Sequence, residues 1–324
     1  MSGRMSAFEP SGVIPACLLP FDGSLAIDEP AYRRHLRDVA SVAGISAITI
    51  NGHASEVHAL TFEEQRRVLE ITRDELGSAL PIVQGVYATA SGEGARIARM
   101  AAAGSADALL VFPPASLGPG GESRPEMAHA HLRAITDVCD LPLIVFQYPT
   151  SSGLAYPLAT LLSLSTSFPT IRAIKDWCGD PALHERHIRE LHALPRPVRV
   201  LSTHSAWLLG SLVLGCDGLL SGAGSVIADL QVALWQAVQA GNLRTAQAVS
   251  DRIYPTTRAF YADPMLDMHN RMKEALVHLG RMEAAHVRPP LVRLSRNEVD
   301  RIAALLDEAG IRPETVYRSG LSEG

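Results

Sequence analysis

Ile171-Arg172-Ala173-Ile174-Lys175-Asp176-Trp177 places one lysine at the end of an alternating apolar run, shortly before the turn residues Gly179, Asp180 and Pro181. This pattern predicts a short buried strand that ends in a loop. Burial disfavours the charged form of a lysine, so part of the population becomes a neutral amine, which attacks carbonyl groups. Taken alone, the segment better suits an ordinary lysine whose ammonium reaches water from a strand end, so the surroundings must decide.

The composition bounds the class of protein. The 324 residues, 47% hydrophobic and 19% charged, suffice for one large α/β barrel or two ordinary domains. A formal charge of -5 gives no basic surface for nucleic acid. The apolar segments are too short to span a membrane, and the amino terminus lacks the apolar core of a signal peptide. We therefore expect a cytoplasmic protein that binds neither nucleic acid nor membrane.

The spacing of the cysteines indicates the state of their thiols. The four cysteines, Cys17, Cys139, Cys178 and Cys216, lie far apart and form no CxxC pair. Such spacing indicates reduced thiols rather than a disulfide or zinc framework.

Apolar strand-like runs alternate with helical patterns eight times along the chain. The runs cover residues 13–19, 47–50, 81–86, 107–112, 143–148, 171–175, 198–201 and 218–221. Asp28 is a candidate helix cap, and Thr61 with Glu64 forms a capping box. Eight βα units indicate parallel strands with crossover helices, and the simplest closed arrangement is a TIM (β/α)8 barrel. A doubly wound open sheet is the alternative, weakened because no GxGxxG follows the first strand.

Three further helical stretches follow the barrel, near residues 243–261, 265–279 and 295–309, and Ser295 with Glu298 opens the last. We therefore predict a flexible tail over residues 1–11, a barrel over 12–240, C-terminal helices over 241–311 and a polar tail over 312–324. Functional sites in such barrels lie at the carboxyl ends of the strands. That face gathers Lys175 with small residues and histidines, which favours a catalytic lysine.

An ordered set of segments resembles the dihydrodipicolinate synthase/N-acetylneuraminate lyase family, which is part of the class I, Schiff-base aldolase superfamily. The segments are Pro20-Phe21, the turn 52–56, residues 146–153, Lys175-Asp176 with Gly179-Asp180, residues 215–221, and Val287-Arg288-Pro289-Pro290-Leu291. The resemblance implies a TIM barrel with appended helices, usually a homotetramer or dimer of dimers. It also implies a lysine Schiff base with pyruvate or another 2-oxo acid, formed without cofactor or metal. Lys175 matches the Schiff-base lysine, and the backbone amides of Ala54 and Ser55 match those that hold the carboxylate.

Two departures mark a divergent member. Where the family has Gly-Thr-Thr-Gly-Glu, this chain has Gly52-His53-Ala54-Ser55-Glu56, without either threonine. Where the family has Tyr-Asn-x-Pro-x-Arg-Thr-Gly, this chain has Phe146-Gln147-Tyr148-Pro149-Thr150-Ser151-Ser152-Gly153. Phe146 thus replaces the catalytic tyrosine and Ser151 the arginine. Loss of the arginine removes a bidentate partner for a substrate carboxylate, so we do not expect dihydrodipicolinate synthesis.

Two residues are candidates for the missing proton relay. His53 occupies a relay position, and its unperturbed pKa of about 6.5 suits general acid/base catalysis near neutrality. Tyr148 shares a strand face with Phe146, so its hydroxyl can partly replace the lost one. The predicted catalytic residues are therefore Lys175, His53 and Tyr148. The predicted substrate-binding residues are Ala54, Ser55, Phe146, Ser151, Trp177, His204, Leu220 and Ser221.

These observations favour an aldolase or hydro-lyase that acts on a 2-oxo acid, with an uncharged or aromatic aldehyde partner. One alternative is a barrel that binds a 2-oxo acid without turnover and has a regulatory or binding role. Another is a metal-dependent lyase using His53, His204 and Asp176, although no local ligand spacing supports a metal.

Overall fold

Eight parallel strands form the centre of the protein. In a computed structural model, which describes residues 8–313, they pair in the order β1-β8-β7-β6-β5-β4-β3-β2. The strands are β1 (Gly12–Pro15), β2 (Ile48–Ile50), β3 (Ile82–Val86), β4 (Ala108–Val111), β5 (Leu143–Gln147), β6 (Ile171–Asp176), β7 (Arg199–Ser202) and β8 (Gly218–Ser221). Parallel bridges from Val13 to Ile45 and from Ala16 to Thr49 join the two ends of the sheet. The predicted TIM barrel is confirmed.

Helices surround this barrel and extend it. Those that follow the strands are α1 (Glu29–Ala40), α2 (Phe62–Leu76), α3 (Ser91–Ala103), α4 (Pro125–Thr136), α5 (Leu158–Ser167), α6 (Pro181–His192), α7 (Leu208–Val213) and α8 (Gly224–Gln239). The C-terminal extension adds α9 (Leu243–Phe260), α10 (Met268–His278) and α11 (Arg296–Glu308). Within residues 8–313, no helix combines the length and the apolar character that a bilayer crossing requires.

The predicted helix caps are present. The Asp28 side chain accepts the Ala31 amide proton, and Thr61 and Glu64 form the reciprocal capping box. The first predicted strand, by contrast, is longer than the observed β1. Ala16 keeps a single bridge to Thr49, and residues 17–19 are buried beyond the strand, where the Leu18 amide donates to Ser225 Oγ on α8. Burial between strand and helix explains their apolar character.

The predicted tails, 1–11 and 312–324, lie largely outside the described residues. The boundary drawn between residues 240 and 241 stays a prediction.

A buried ion pair joins the C-terminal helices to the barrel. Lys273 of α10 donates to the Glu56 carboxylate, and the two side chains are 0% and 1% exposed. The second oxygen of Glu56 accepts the Arg288 amide proton at 2.9 Å. Lys273 Nζ and Arg288 Cζ lie 4.3 and 4.4 Å from the centroid of the Phe21 ring. Three of the segments that carry the family resemblance therefore meet around this ion pair, namely Pro20-Phe21, the turn 52–56 and residues 287–291.

Removing one partner of this pair tests its contribution. Lys273→Met leaves the Glu56 carboxylate buried without its cation, so we expect the free energy of unfolding to fall by about 3–5 kcal/mol in urea titrations. The double variant Glu56→Gln/Lys273→Met should recover part of that loss. Arg296→Met removes a cation that is 93% exposed and 4.0 Å from Asp300, and should change stability by less than about 0.5 kcal/mol. A loss below about 1 kcal/mol for Lys273→Met would contradict this account.

Candidate active site

Lys175 lies at the carboxyl end of β6. It pairs in register with Phe146 of β5 and Leu201 of β7. Its side chain is buried, and Nζ lies 4.1 Å from the centroid of the Phe146 ring. Burial lowers the pKa of Lys175 from 10.5 to about 7. A substantial part of this lysine is thus a neutral amine near neutral pH.

A cavity of about 900 Å³, its open mouth included, lies above Lys175. Its wall is mainly apolar and aromatic, with one lysine and three histidine side chains. The lining residues with large side chains are His53, Phe146, Lys175, Trp177, His204, Trp207, Tyr261, Met265, Met268 and His269. This is the concave, mostly apolar shape, with a few convergent polar groups, that small-molecule sites have.

His53 and Tyr148 form a hydrogen-bonded pair, with Tyr148 Oη 2.8 Å from His53 Nε2. Burial is the main cause that lowers the pKa of His53 to about 3, and the positive charge of Lys175 adds to it. The pKa of about 6.5 expected from the sequence is therefore not that of the folded protein. Burial also raises the pKa of Tyr148. The neutral His53 ring can accept from the Tyr148 hydroxyl in one tautomer and donate to it in the other, so the pair can pass a proton in either direction.

Aromatic rings surround the relay. The His53 ring lies 4.9 Å from Phe112 and 5.8 Å from Phe146, measured between centroids. Trp177 lies 6.3 Å from Phe146 and 6.0 Å from Tyr148. These rings keep water from the inner end of the cavity, which strengthens electrostatic interactions there.

The structure brings six of the predicted residues to the cavity, namely Lys175, His53, Ala54, Phe146, Trp177 and His204. Tyr148 reaches the cavity wall through its bond to His53. Ser55 is buried, its hydroxyl donates to the Cys17 carbonyl at 2.9 Å, and its amide donates to the Gly52 carbonyl at 3.0 Å. Both donors of Ser55 are therefore engaged within the protein.

Besides Ser55, three predicted substrate-binding residues do not line the cavity. Ser151 is exposed in the loop after β5, whereas Leu220 and Ser221 are buried in β8. Ser151 occupies the family's arginine position, but a serine side chain is too short to extend from there into the site.

The C-terminal extension supplies cavity residues that the sequence reading missed. They are Tyr261, Met265, Met268 and His269. A Cβ at Gly222 would lie 3.0 Å from His269 Nε2, so the glycine allows α10, which carries His269, to approach the loop after β8. Burial lowers the pKa of His269 well below its usual value, and nearby His53 and Lys175 add to the effect. The helical pattern of this region predicted α10 but not which face meets the barrel.

Comparison with known proteins settles the family. A sequence model described as the dihydrodipicolinate synthetase family matches residues 9–309. The chain belongs to the dihydrodipicolinate synthetase family. The resemblance inferred from the ordered segments is confirmed.

Members of the dihydrodipicolinate synthetase family align over almost their whole length. The 4-hydroxy-tetrahydrodipicolinate synthase of Methanopyrus kandleri is 26% identical over 95% of this chain and 99% of its own. That of Sphingopyxis alaskensis is 29% identical over 93% of this chain and 99% of its own. The solved structure of YagE from E. coli K12, a prophage protein of the family in complex with pyruvate, superposes with a TM-score of 0.86 at 22% identity, covering 93% of this chain and 99% of YagE.

Proposed function

We propose that the protein is a Schiff-base-forming lyase that acts on pyruvate or another 2-oxo acid. The observation that carries the proposal is a buried lysine amine at the inner end of a cavity on the catalytic face of a TIM barrel. The chain contains two lysines, and the other, Lys273, is held by Glu56. Lys175 is therefore the lysine available to a carbonyl substrate. Family membership and the pyruvate complex of YagE support the same substrate class.

The proposed chemistry runs through an iminium ion. The amine of Lys175 attacks the keto carbon, and the resulting carbinolamine loses its hydroxyl group as water after protonation. The iminium then accepts the electron pair of the bond that breaks beside it, whether a carbon–carbon or a carbon–hydrogen bond. Reversal of the last step forms a bond to an aldehyde, and elimination of a neighbouring hydroxyl group gives dehydration. Hydrolysis of the iminium regenerates the amine.

The Tyr148–His53 pair takes the place of the family's tyrosine in this proposal. Tyr148 donates its proton to the departing hydroxyl group, and His53, with its ring proton on Nε2, donates to the phenolate oxygen that forms, across the 2.8 Å contact. Phe146 lacks a hydroxyl group and instead shields the Lys175 amine from water.

The carboxylate of the 2-oxo acid has one candidate partner on the turn after β2. Gly52, His53 and Ala54 line the cavity at this turn. Because the Ser55 amide is committed to Gly52, we assign the carboxylate to the amide of Ala54.

The cavity wall favours an uncharged, apolar or aromatic aldehyde as second substrate or product. Phe146, Trp177 and Trp207 form aromatic surfaces, and Met265 and Met268 add flexible apolar side chains. Among the described lining residues there is no arginine to bind a second carboxylate. The proposal therefore differs from the activity for which the named relatives are known.

Reductive trapping tests the proposal. With pyruvate and borohydride, we expect one reduced adduct on Lys175, which blocks trypsin at that residue and leaves a peptide spanning 173–186. Lys175→Ala should abolish the adduct, and Lys273→Arg should retain it. An adduct confined to Lys273, or no adduct with any 2-oxo acid, would contradict the proposal.

Exchange of the pyruvate methyl protons in D₂O tests the relay, and it requires no knowledge of the aldehyde. Tyr148→Phe and His53→Ala should each slow exchange by roughly 10²-fold, since proton transfer contributes on that order. The double variant should lose little more, because the two residues act as one unit. Tyr87→Phe is a matched control, since Tyr87 contacts the His53 ring edge-on at 6.1 Å. Near-normal exchange in both single variants would assign the relay to water or substrate.

Trapping by the wild type without exchange or turnover would favour the alternative of a binding protein.

We also propose a homotetramer. Val213 of α7 and Tyr254 of α9 are 59% and 60% exposed, and the two helices pack against each other. Burial of such side chains between subunits would contribute to assembly. Light scattering at micromolar concentration should give the mass of four chains of 34.8 kDa, and a monomer would contradict this prediction.

A further inference from the structure

A second cluster of reactive side chains lies on the opposite face of β6 from Lys175. Successive residues of a strand point to opposite faces, so Asp176 points away from the cavity toward α6. Its carboxylate is fully buried, and Oδ2 accepts from Nδ1 of His184 at 2.8 Å and of His187 at 2.7 Å. Its Oδ1 accepts the Cys178 amide proton at 2.9 Å. The proposed chemistry of Lys175 uses none of these groups.

Four different chain segments bring ligand-type atoms together here. One such atom from each residue lies within 4.8 Å of every other, and all four residues are buried. We call this set the Asp176 cluster, and its members are Asp176, Cys178, His184 and His204. They come from β6, the loop after it, α6 and the loop after β7, which explains why spacing along the chain gave no sign of them.

The distance between Cys178 and His204 suits a tetrahedral metal ion. Zinc bonds of about 2.3 Å to sulfur and 2.0–2.1 Å to nitrogen imply a sulfur–nitrogen separation of roughly 3.6 Å. Cys178 Sγ lies 3.7 Å from His204 Nε2. His204 Nε2 accepts the Gly179 amide proton at 3.2 Å, so the ring proton is on Nδ1, which has no hydrogen-bond partner. A metal ion beside Cys178 would take the Nε2 lone pair of His204 in place of the Gly179 amide proton.

Charge and outer contacts fit the same ion. A thiolate from Cys178 and the Asp176 carboxylate would together balance a divalent cation. A metal ion on His184 Nδ1 would replace the proton that this nitrogen donates to Asp176, and the ring proton would then lie on Nε2, 2.7 Å from Ser211 Oγ. His187 Nδ1 still donates to Asp176. Such hydrogen bonds from second residues orient metal-bound histidines and carboxylates.

We infer that the Asp176 cluster binds one Zn²⁺ ion. A thiolate with two imidazoles favours zinc over magnesium or calcium, which prefer oxygen ligands. Four protein ligands leave no open position, so the ion is structural rather than catalytic. The ion joins β6 to the loop after β7. One of its ligands, Asp176, directly follows Lys175, and another, His204, is held in the cavity wall. This inference goes beyond the proposed lyase activity and does not depend on it.

Metal analysis of the full-length protein, purified without a histidine tag from zinc-containing medium, tests the inference. We expect one zinc per chain after desalting. Replacement of zinc by Co²⁺ should give the near-ultraviolet thiolate-to-cobalt band and the intense visible bands of a tetrahedral site. Zinc should also raise the melting temperature, because it binds the folded state.

Variants identify the ligands. Cys178→Ser and His204→Gln should each weaken zinc binding by roughly 100-fold or more, since loss of an outer contact alone costs 10- to 100-fold. Cys17→Ser changes a thiol that is equally buried but is not a member of the cluster, and should keep the zinc and the cobalt band. Should the ligand variants fail to fold, the wild-type cobalt spectrum still decides. Wild-type protein without zinc or a thiolate–cobalt band, or equal zinc content in a folded Cys178→Ser variant, would overturn the inference.

Discussion

The burial of one amine at the carboxyl end of β6 is the constraint on which the rest of the site depends. Taking an ammonium group out of water costs free energy unless the proton is lost, and the lowered pKa of Lys175 expresses that cost. The barrel sustains it because both neighbouring strands pair with β6 in register along Lys175. Phe146 then closes one side of the amine with its ring. A nucleophile at neutral pH follows from this packing.

The C-terminal extension is part of the same site. The ion pair of Glu56 with Lys273 fixes α10 against the turn that carries His53. The same helix supplies Met268 and His269 to the cavity. A helical element outside the barrel therefore both holds the turn with His53 and shapes the pocket. The arrangement explains why segments far apart along the chain, such as Pro20-Phe21 and residues 287–291, belong to one pattern.

Eight apolar runs separated by helical patterns were enough to predict all eight strands and the barrel. Parallel strands that are buried on both faces appear in a sequence as such nearly continuous apolar runs. Local capping chemistry likewise predicted the starts of α1 and α2. The strand pattern located Lys175 at the end of β6, and the family resemblance located His53 on the turn after β2. Sequence reasoning missed His269 because a helical pattern shows which face of α10 is buried but not which part of the protein that face packs against. It missed the grouping of Cys178 with His204 because those residues meet only through the tertiary fold. The pKa of His53 was also beyond the sequence, since burial sets it.

The proposed chemistry depends on an imine between Lys175 and a 2-oxo acid in this cavity. A crystal structure of the protein soaked in pyruvate would show whether this bond forms. We expect continuous electron density from Lys175 Nζ to the keto carbon, with the carboxylate at the Ala54 amide and the Tyr148 hydroxyl facing the new bond. Pyruvate bound without a covalent link, or density joined to Lys273 instead, would contradict it.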